Sequence, residues 1–425
     1  MGFSFEKEID NFISRVNSMR ETSEVLMKEI NKILISKVKS FNSWVSRNTQ
    51  KTEKAKDGKL AVTILPSSLG QFQKHLREVQ STLIANKTLP RTFVVSLIST
   101  YDAFLGRLIR GVFFAKPETL RASEKTLSYS ELLSFGSFKD AKEHIIETEI
   151  ESILRKSHSD QFIWLEGRLG IPLKKDLDVW PQFIEVTERR HLFVHTGGVV
   201  TSGYFQTCET HGFNFEKKPK IGEELSVTKE YFDKACECIL EIGIKLAHVI
   251  WRKVQPDKAN NIDSNLNRVC VDLINNGQYE LVIKLLDFVI KCKAWKSSMQ
   301  MKLYFELNLA QAHKWKGNKE KCKEILSSRD FSELSDKYKL AYAVLKDNFQ
   351  EAAQIMKRIG KKGEVGQLEY RLWPVFKKFR EKKIFEETYQ QIFKEKFKIE
   401  TEKMAEFEDK NQSGDTSINP AGIIG

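Results

Sequence analysis

Residues 93–114 read FVVSLISTYDAFLGRLIRGVFF, and this stretch decides the fold class. Val94, Leu97, Ile98, Tyr101, Phe104, Leu105, Leu108, Ile109 and Val112 recur three and four residues apart, the period of one face of an α-helix. Lys116-Pro117 ends the run, because a residue preceding proline is pushed out of the helical region. The same period extends outward in both directions. Ile9, Phe12, Ile13, Val16, Met19, Val25, Ile30, Ile33, Leu34 and Val38 predict one long amphipathic helix, or a helix pair, over residues 1 to about 46. Ser67 and Ser68 can cap a helix over 69–85, with Leu89-Pro90 read as a break. Further helices are expected over 138–157, over 158–169, from Val179-Trp180-Pro181 to Gly197-Gly198, and over 228–254 behind a Thr228 cap. The polar run 47–58 reads as a loop, and 199–227 as a loop or short hairpin. With nine prolines, 22 glycines and few hairpin signals, the chain is expected to be all-α.

Beyond residue 255 the character changes. Residues 255–261, Gln-Pro-Asp-Lys-Ala-Asn-Asn, read as a linker. Asn275-Asn276-Gly277-Gln278-Tyr279, Lys316-Gly317-Asn318-Lys319 and Lys346-Asp347-Asn348-Phe349 are similar turns, each followed by an apolar helix. A spacing of roughly 30–40 residues is that of stacked helix pairs. Residues 309–318 resemble the end of the first helix of a tetratricopeptide-type repeat and its turn, so a tetratricopeptide-like helical solenoid is expected. The organisation expected is an N-terminal helical region over 1–87, a helical domain over 88–255, helical repeats over 262–407 and a disordered polar tail over 408–425.

A chain of 425 residues is long enough for two or three domains. Its net charge of +12 favours anionic partners, nucleic acid among them, because Lys and Arg contacts to phosphate release counterions. Cys208, Cys236, Cys238, Cys270, Cys292 and Cys322 form no CxxC pair, which suits reduced, mostly buried thiols. Residues 1–9 carry charge and no signal-peptide apolar core, and no uncharged apolar run is long enough to span a bilayer. The default expectation is a cytoplasmic protein with no membrane partner.

The chain has no GxxxxGK[ST] phosphate loop, no HExxH zinc motif and no serine nucleophile elbow. Two of its eight histidines fall together in Glu188-Arg189-Arg190-His191-Leu192-Phe193-Val194-His195. An Arg followed by four residues and a His, with a polar residue directly after the Arg, resembles the Rx4-6H motif of the HEPN superfamily. The motif stands near the C-terminal end of a helix, with Tyr101-Asp102-Ala103-Phe104-Leu105 similar to that family's first core helix and 228–254 to its last. The resemblance covers residues 90 to about 254.

What the resemblance implies is an HEPN helical bundle that cleaves RNA without a metal or other cofactor. Arg190 and His195 would carry the chemistry, with His191 orienting Arg190 or the phosphate, Arg189 adding a phosphate contact and Asp102 pairing with Arg190. RNA supplies its own nucleophile, the 2′-hydroxyl, so the protein need only move a proton and stabilise charge at phosphorus. Imidazole and guanidinium suit those two tasks. On an ideal helix Arg190 and His195 point about 140° apart, while His191 and His195 share a face. The family usually completes its site across a dimer, so a homodimer is expected.

Two other readings of the pair stay open: a metal-binding His pair, for which no third ligand is evident, and a structural Arg-His helix end. The expected products are a 2′,3′-cyclic phosphate and a 5′-hydroxyl, in an abortive-infection or toxin-antitoxin setting. The alternative function is a non-catalytic dimerisation or sensor scaffold whose repeats bind a protein partner or trigger.

Overall fold

The computed structural model describes residues 3–54, 60–122, 126–175 and 177–397, so the expected tail over 408–425 lies outside the described residues. Within them the chain is all-α apart from one two-stranded hairpin. It divides into two compact units, 1–329 and 330–425.

The first unit opens with α1 (Phe5–Asn48) and α2 (Leu69–Ala115), joined by the antiparallel strands β1 (Thr49–Lys54) and β2 (Leu60–Ile64). The hairpin corrects the reading of 47–58 as a loop: paired backbones supply the hydrogen bonds that a polar sequence does not advertise. Pro90 also departs from expectation. It sits inside α2 and does not end it. The helix buries Val79 and Thr82 before the proline, Pro90 itself, and Val94, Leu97 and Ile98 after it, and burial on both sides opposes the roughly 3 kcal/mol that an interior proline costs. Among the described residues, the helix ending at Ala115 is the one long and apolar enough to cross a membrane, but half of its most apolar window is buried inside the fold.

Short helices follow: α3 (Tyr129–Ser134), α4 (Phe138–Leu154), α5 (His158–Leu169), α6 (Trp180–His195) and α7 (Ser202–Thr210). Thr201 caps α7, accepting a hydrogen bond from the Tyr204 amide, so the segment read as a loop or hairpin holds a helix, with only an isolated bridge between Val199 and Glu224. Then α8 (Lys229–Val254) runs through the centre, buried on nearly every face from Phe232 to Val254. Phe12 of α1 stacks on Phe104 of α2 with centroids 4.1 Å apart, and the Phe12 ring sits over Gly243 of α8. A Cβ at Gly243 would come within 2.4 Å of the Phe12 ring, so only glycine lets α1 and α8 approach this closely.

A 3-10 turn, Pro256–Lys258, joins α8 to α9 (Ala259–Asn275), followed by α10 (Tyr279–Lys291), α11 (Met299–Lys316) and α12 (Lys319–Ser327). The linker expected at 255–261 does not separate two cores. One apolar cluster runs from Phe5 through α8 to Ala312. Polar contacts reinforce the junction: Arg252 pairs with Asp263 at 2.7 Å, the Trp295 indole donates to Asp263 at 2.9 Å, and His248 Nε2 meets Asn265 Oδ1 at 3.0 Å. Gly277 and Gly317 take the positive φ that turns each helix pair, with φ of 73° and 100°.

The second unit contains α13 (Asp336–Leu345), α14 (Phe349–Ile359), α15 (Gln367–Leu372), α16 (Lys377–Arg380) and α17 (Lys383–Phe393) around buried Tyr370, Phe376, Phe379 and Phe385. Arg380, part of a basic run at 377–383, donates to the carbonyls of Tyr370 and Trp373 at 3.1 and 3.0 Å. It is an internal cation, whereas Lys383 stays in solvent beside Glu387.

Candidate active site

Helix α6 carries the motif. Pro181 stands in its first turn, and Phe183, Ile184, Val186 and Leu192 form its buried face. Its C-terminal end is tightly fixed. The amides of Thr196 and Gly198 both donate to the Leu192 carbonyl at 2.9 Å, with Gly197 and Gly198 at φ of 62° and 89°. From α2, Arg91 donates to the carbonyls of Gly197 and Leu225 at 2.8 and 2.7 Å, pairs with Glu224 and lies over the Phe193 ring. The last turn of α6 is therefore clamped to the bundle while its outer face stays open.

His191 and His195 lie on that open face, both exposed, with ring centroids 4.5 Å apart. Arg190 is half-buried, and its Nε is buried without a hydrogen-bond partner. Arg189 points elsewhere. Its Nε donates to Glu185 at 2.7 Å and its guanidinium lies 3.9 Å from the centroid of Tyr231. Glu185 is fully buried and also accepts from the hydroxyls of Tyr204 and Tyr231 at 2.8 and 2.9 Å. Burial and the Glu185 carboxylate push both phenols well up, so they remain donors. This network ties α6 to α7 and α8, and Arg189 serves it as an internal counter-ion to a buried carboxylate.

Asp102 meets His158 rather than Arg190. Its Oδ1 lies 2.9 Å from His158 Nε2, and the imidazole is wedged edge-on against Phe183 with centroids 5.5 Å apart. His158 opens α5 and is 56 residues from its partner, so no local pattern announces the pair. His211 and His248 also have partners, the Trp180 indole at 3.3 Å and Asn265 respectively. Burial pushes both of these imidazoles down.

Glu188 was given no role by the sequence reading. It stands three residues before His191 and seven before His195, so the three side chains fall within about 60° of one another on the helix surface. Burial raises its carboxyl above the usual range, while His191 and His158 pull in the opposite direction.

No family model, curated protein or solved structure matches the chain.

Among the described residues no three His, Cys, Asp or Glu side chains converge as a metal site. Five of the cysteines are buried, and burial holds the thiols of Cys208 and Cys236 up at about 12, far from the thiolate that metal binding or nucleophilic attack needs. What this surface presents is a pair of exposed imidazoles at the end of α6, on the helix that also carries half-buried Arg190.

Proposed function

We infer that the protein is a metal-independent endoribonuclease of the HEPN type. The observation that carries the reading is the exposed His191–His195 pair on the clamped last turn of α6, with half-buried Arg190 directly before His191 in the chain. One imidazole takes the proton of the RNA 2′-hydroxyl as that oxygen attacks phosphorus, and a second gives a proton to the departing 5′-oxygen. Arg190 steadies the charge on the phosphorane. The products are a 2′,3′-cyclic phosphate and a 5′-hydroxyl.

A homodimer that faces two such turns across a cleft supplies two copies of each group. The exposed Val194 and Val199 beside the histidines give that contact an apolar rim. The helix pairs α9–α12 suit a tetratricopeptide-like docking surface for a protein trigger, as in abortive-infection or toxin-antitoxin ribonucleases.

The test is incubation of the purified protein with total RNA in the presence of a chelator, beside a His195→Ala variant. Cleavage by the parent alone, leaving 2′,3′-cyclic phosphate ends, is expected. Equal cutting by both proteins, or loss of cutting on chelation, would overturn the assignment.

A further inference from the structure

The positive charge of the chain is concentrated in one place. Of its 69 Lys and Arg, ten fall in residues 30–77; of its 57 Asp and Glu, only Glu53 and Asp57 do. This stretch therefore carries eight of the twelve net positive charges, and the rest of the sequence is close to balanced. The fold sets the same stretch apart. Beyond Ser23 α1 buries no residue, and α2 buries none before Val79. The distal parts of the two helices pair with each other instead. Phe41 and Trp44 of α1 meet Phe72 and His75 of α2 with ring centroids 5.6 to 6.1 Å apart. From Glu24 to Asn48 the resulting two-helix arm is about 37 Å long.

The outer surface of this arm has one chemistry. Between Ser36 and Asn48 every exposed residue is Lys, Arg, Ser or Asn, while Val38, Phe41, Trp44 and Val45 are half-buried. No described carboxylate pairs with Lys37, Lys39, Arg47 or Lys74. Cations interleaved with hydroxyls and amides match a run of phosphates and riboses: Lys and Arg neutralise phosphate, and Ser and Asn donate to phosphate and sugar oxygens. A bilayer asks instead for one continuous apolar face. The exposed apolar residues of α1 do not form one, since Ile33 and Ile35 point about 160° apart.

We propose that the α1–α2 arm is an RNA-binding element that holds the phosphate backbone without reading base sequence. The choice of RNA rests on the ribonuclease reading, whereas the polyanion-binding surface does not. The arm supplies affinity for the chain, and the α6 turn supplies the chemistry.

The test is fluorescence anisotropy of a labelled single-stranded RNA across a salt series, with the full chain carrying His195→Ala so that the probe is not cut. The arm variant replaces Lys37, Lys39, Arg47 and Lys74 by Gln. A control variant replaces Lys139, Lys142, Lys156 and Lys175, exposed residues outside the arm, with the same loss of charge. Far-UV circular dichroism establishes that each is folded. The arm variant should bind at least about tenfold more weakly at about 0.1 M salt. Its slope of log Kd against log salt should fall by about 2–3, since each phosphate contact to a single strand contributes about 0.7. The control should stay within about twofold of the parent. Should the quadruple variant not fold, Lys39→Gln and Arg47→Gln taken singly should each lower the slope by about 0.7. Equal weakening in arm and control variants overturns the proposal, and so does unchanged binding by the arm variant. Binding of phosphatidylserine vesicles without binding of RNA also overturns it and gives the arm to a lipid surface. Arm-dependent binding by a protein that, with His195 restored, cuts no RNA leaves the proposal standing and sinks the ribonuclease reading. Binding and cleavage that survive intact in the arm variant do the reverse.

Discussion

Replacing Arg91 by alanine removes the clamp that holds the end of α6 to α2. Four interactions go at once: hydrogen bonds to the Leu225 and Gly197 carbonyls, the ion pair with Glu224, and the contact over the Phe193 ring, the last worth roughly 0.5–1 kcal/mol. They are not equal. Leu225 is buried, so its carbonyl loses a charged donor that water replaces poorly, a cost of about 1–3 kcal/mol. Gly197 is exposed and its carbonyl rehydrates cheaply. The Glu224 pair is partly open to solvent and contributes at most about 1 kcal/mol. The expected loss is therefore about 2–4 kcal/mol in urea-induced unfolding. Hydrogen exchange at the Thr196 and Gly198 amides should rise more than exchange in the centre of α8. Arg91→Lys should recover less than half of the loss, since an ammonium cannot serve two divergent carbonyls as a guanidinium fork does. A loss under about 0.5 kcal/mol, with exchange at Thr196 and Gly198 unchanged, would refute the clamp.

Arg189→Ala should leave the Glu185 charge buried and uncompensated, destabilising the fold by about 3–5 kcal/mol. The double variant Glu185→Gln, Arg189→Met should regain much of that stability in thermal melts, an outcome that a phosphate-binding role for Arg189 does not predict. Gly243→Ala should cost about 1–3 kcal/mol because its methyl enters the Phe12 ring position, and Phe12→Leu should relieve part of it in a double-mutant cycle. Burial depresses the His248 imidazole in the folded state, so its contribution is present above the unfolded value of about 6.5 and is lost as pH falls below it. Urea midpoints should therefore decline on acidification through pH 6, and His248→Gln should flatten that slope. A parallel decline in both proteins would assign the slope to other groups.

The long helices were legible because their apolar residues repeat at 3.6 over many turns, as in Val94 to Val112, and because Gly197-Gly198 and Thr228 punctuate them. The motif's own face was legible too, since i and i+4 must be neighbours on a helix. What failed were readings in which tertiary packing overrides local preference. Pro90 breaks an isolated helix, but not one held against α1 on both sides of the proline. The linker reading of 255–261 came from polar composition, which says nothing of the apolar faces on α8 and α9 that meet across it. Asp102 and His158 are far apart in sequence and share no pattern, so their pairing is visible only in three dimensions. Glu188 could have been noticed: Glu-x2-His-x3-His places three titratable groups on one stripe.

Helix α8 belongs to two networks at once. Near its first turn Tyr231 touches Glu185 and Arg189 of α6. Near its last turn His248 and Arg252 hold Asn265 and Asp263 of α9. The two sets of contacts stand about 30 Å apart along one helix that is buried over most of its length, with the Phe12–Gly243 approach between them. A single rigid element thus fixes the spacing between the Glu185 network and the α9 junction.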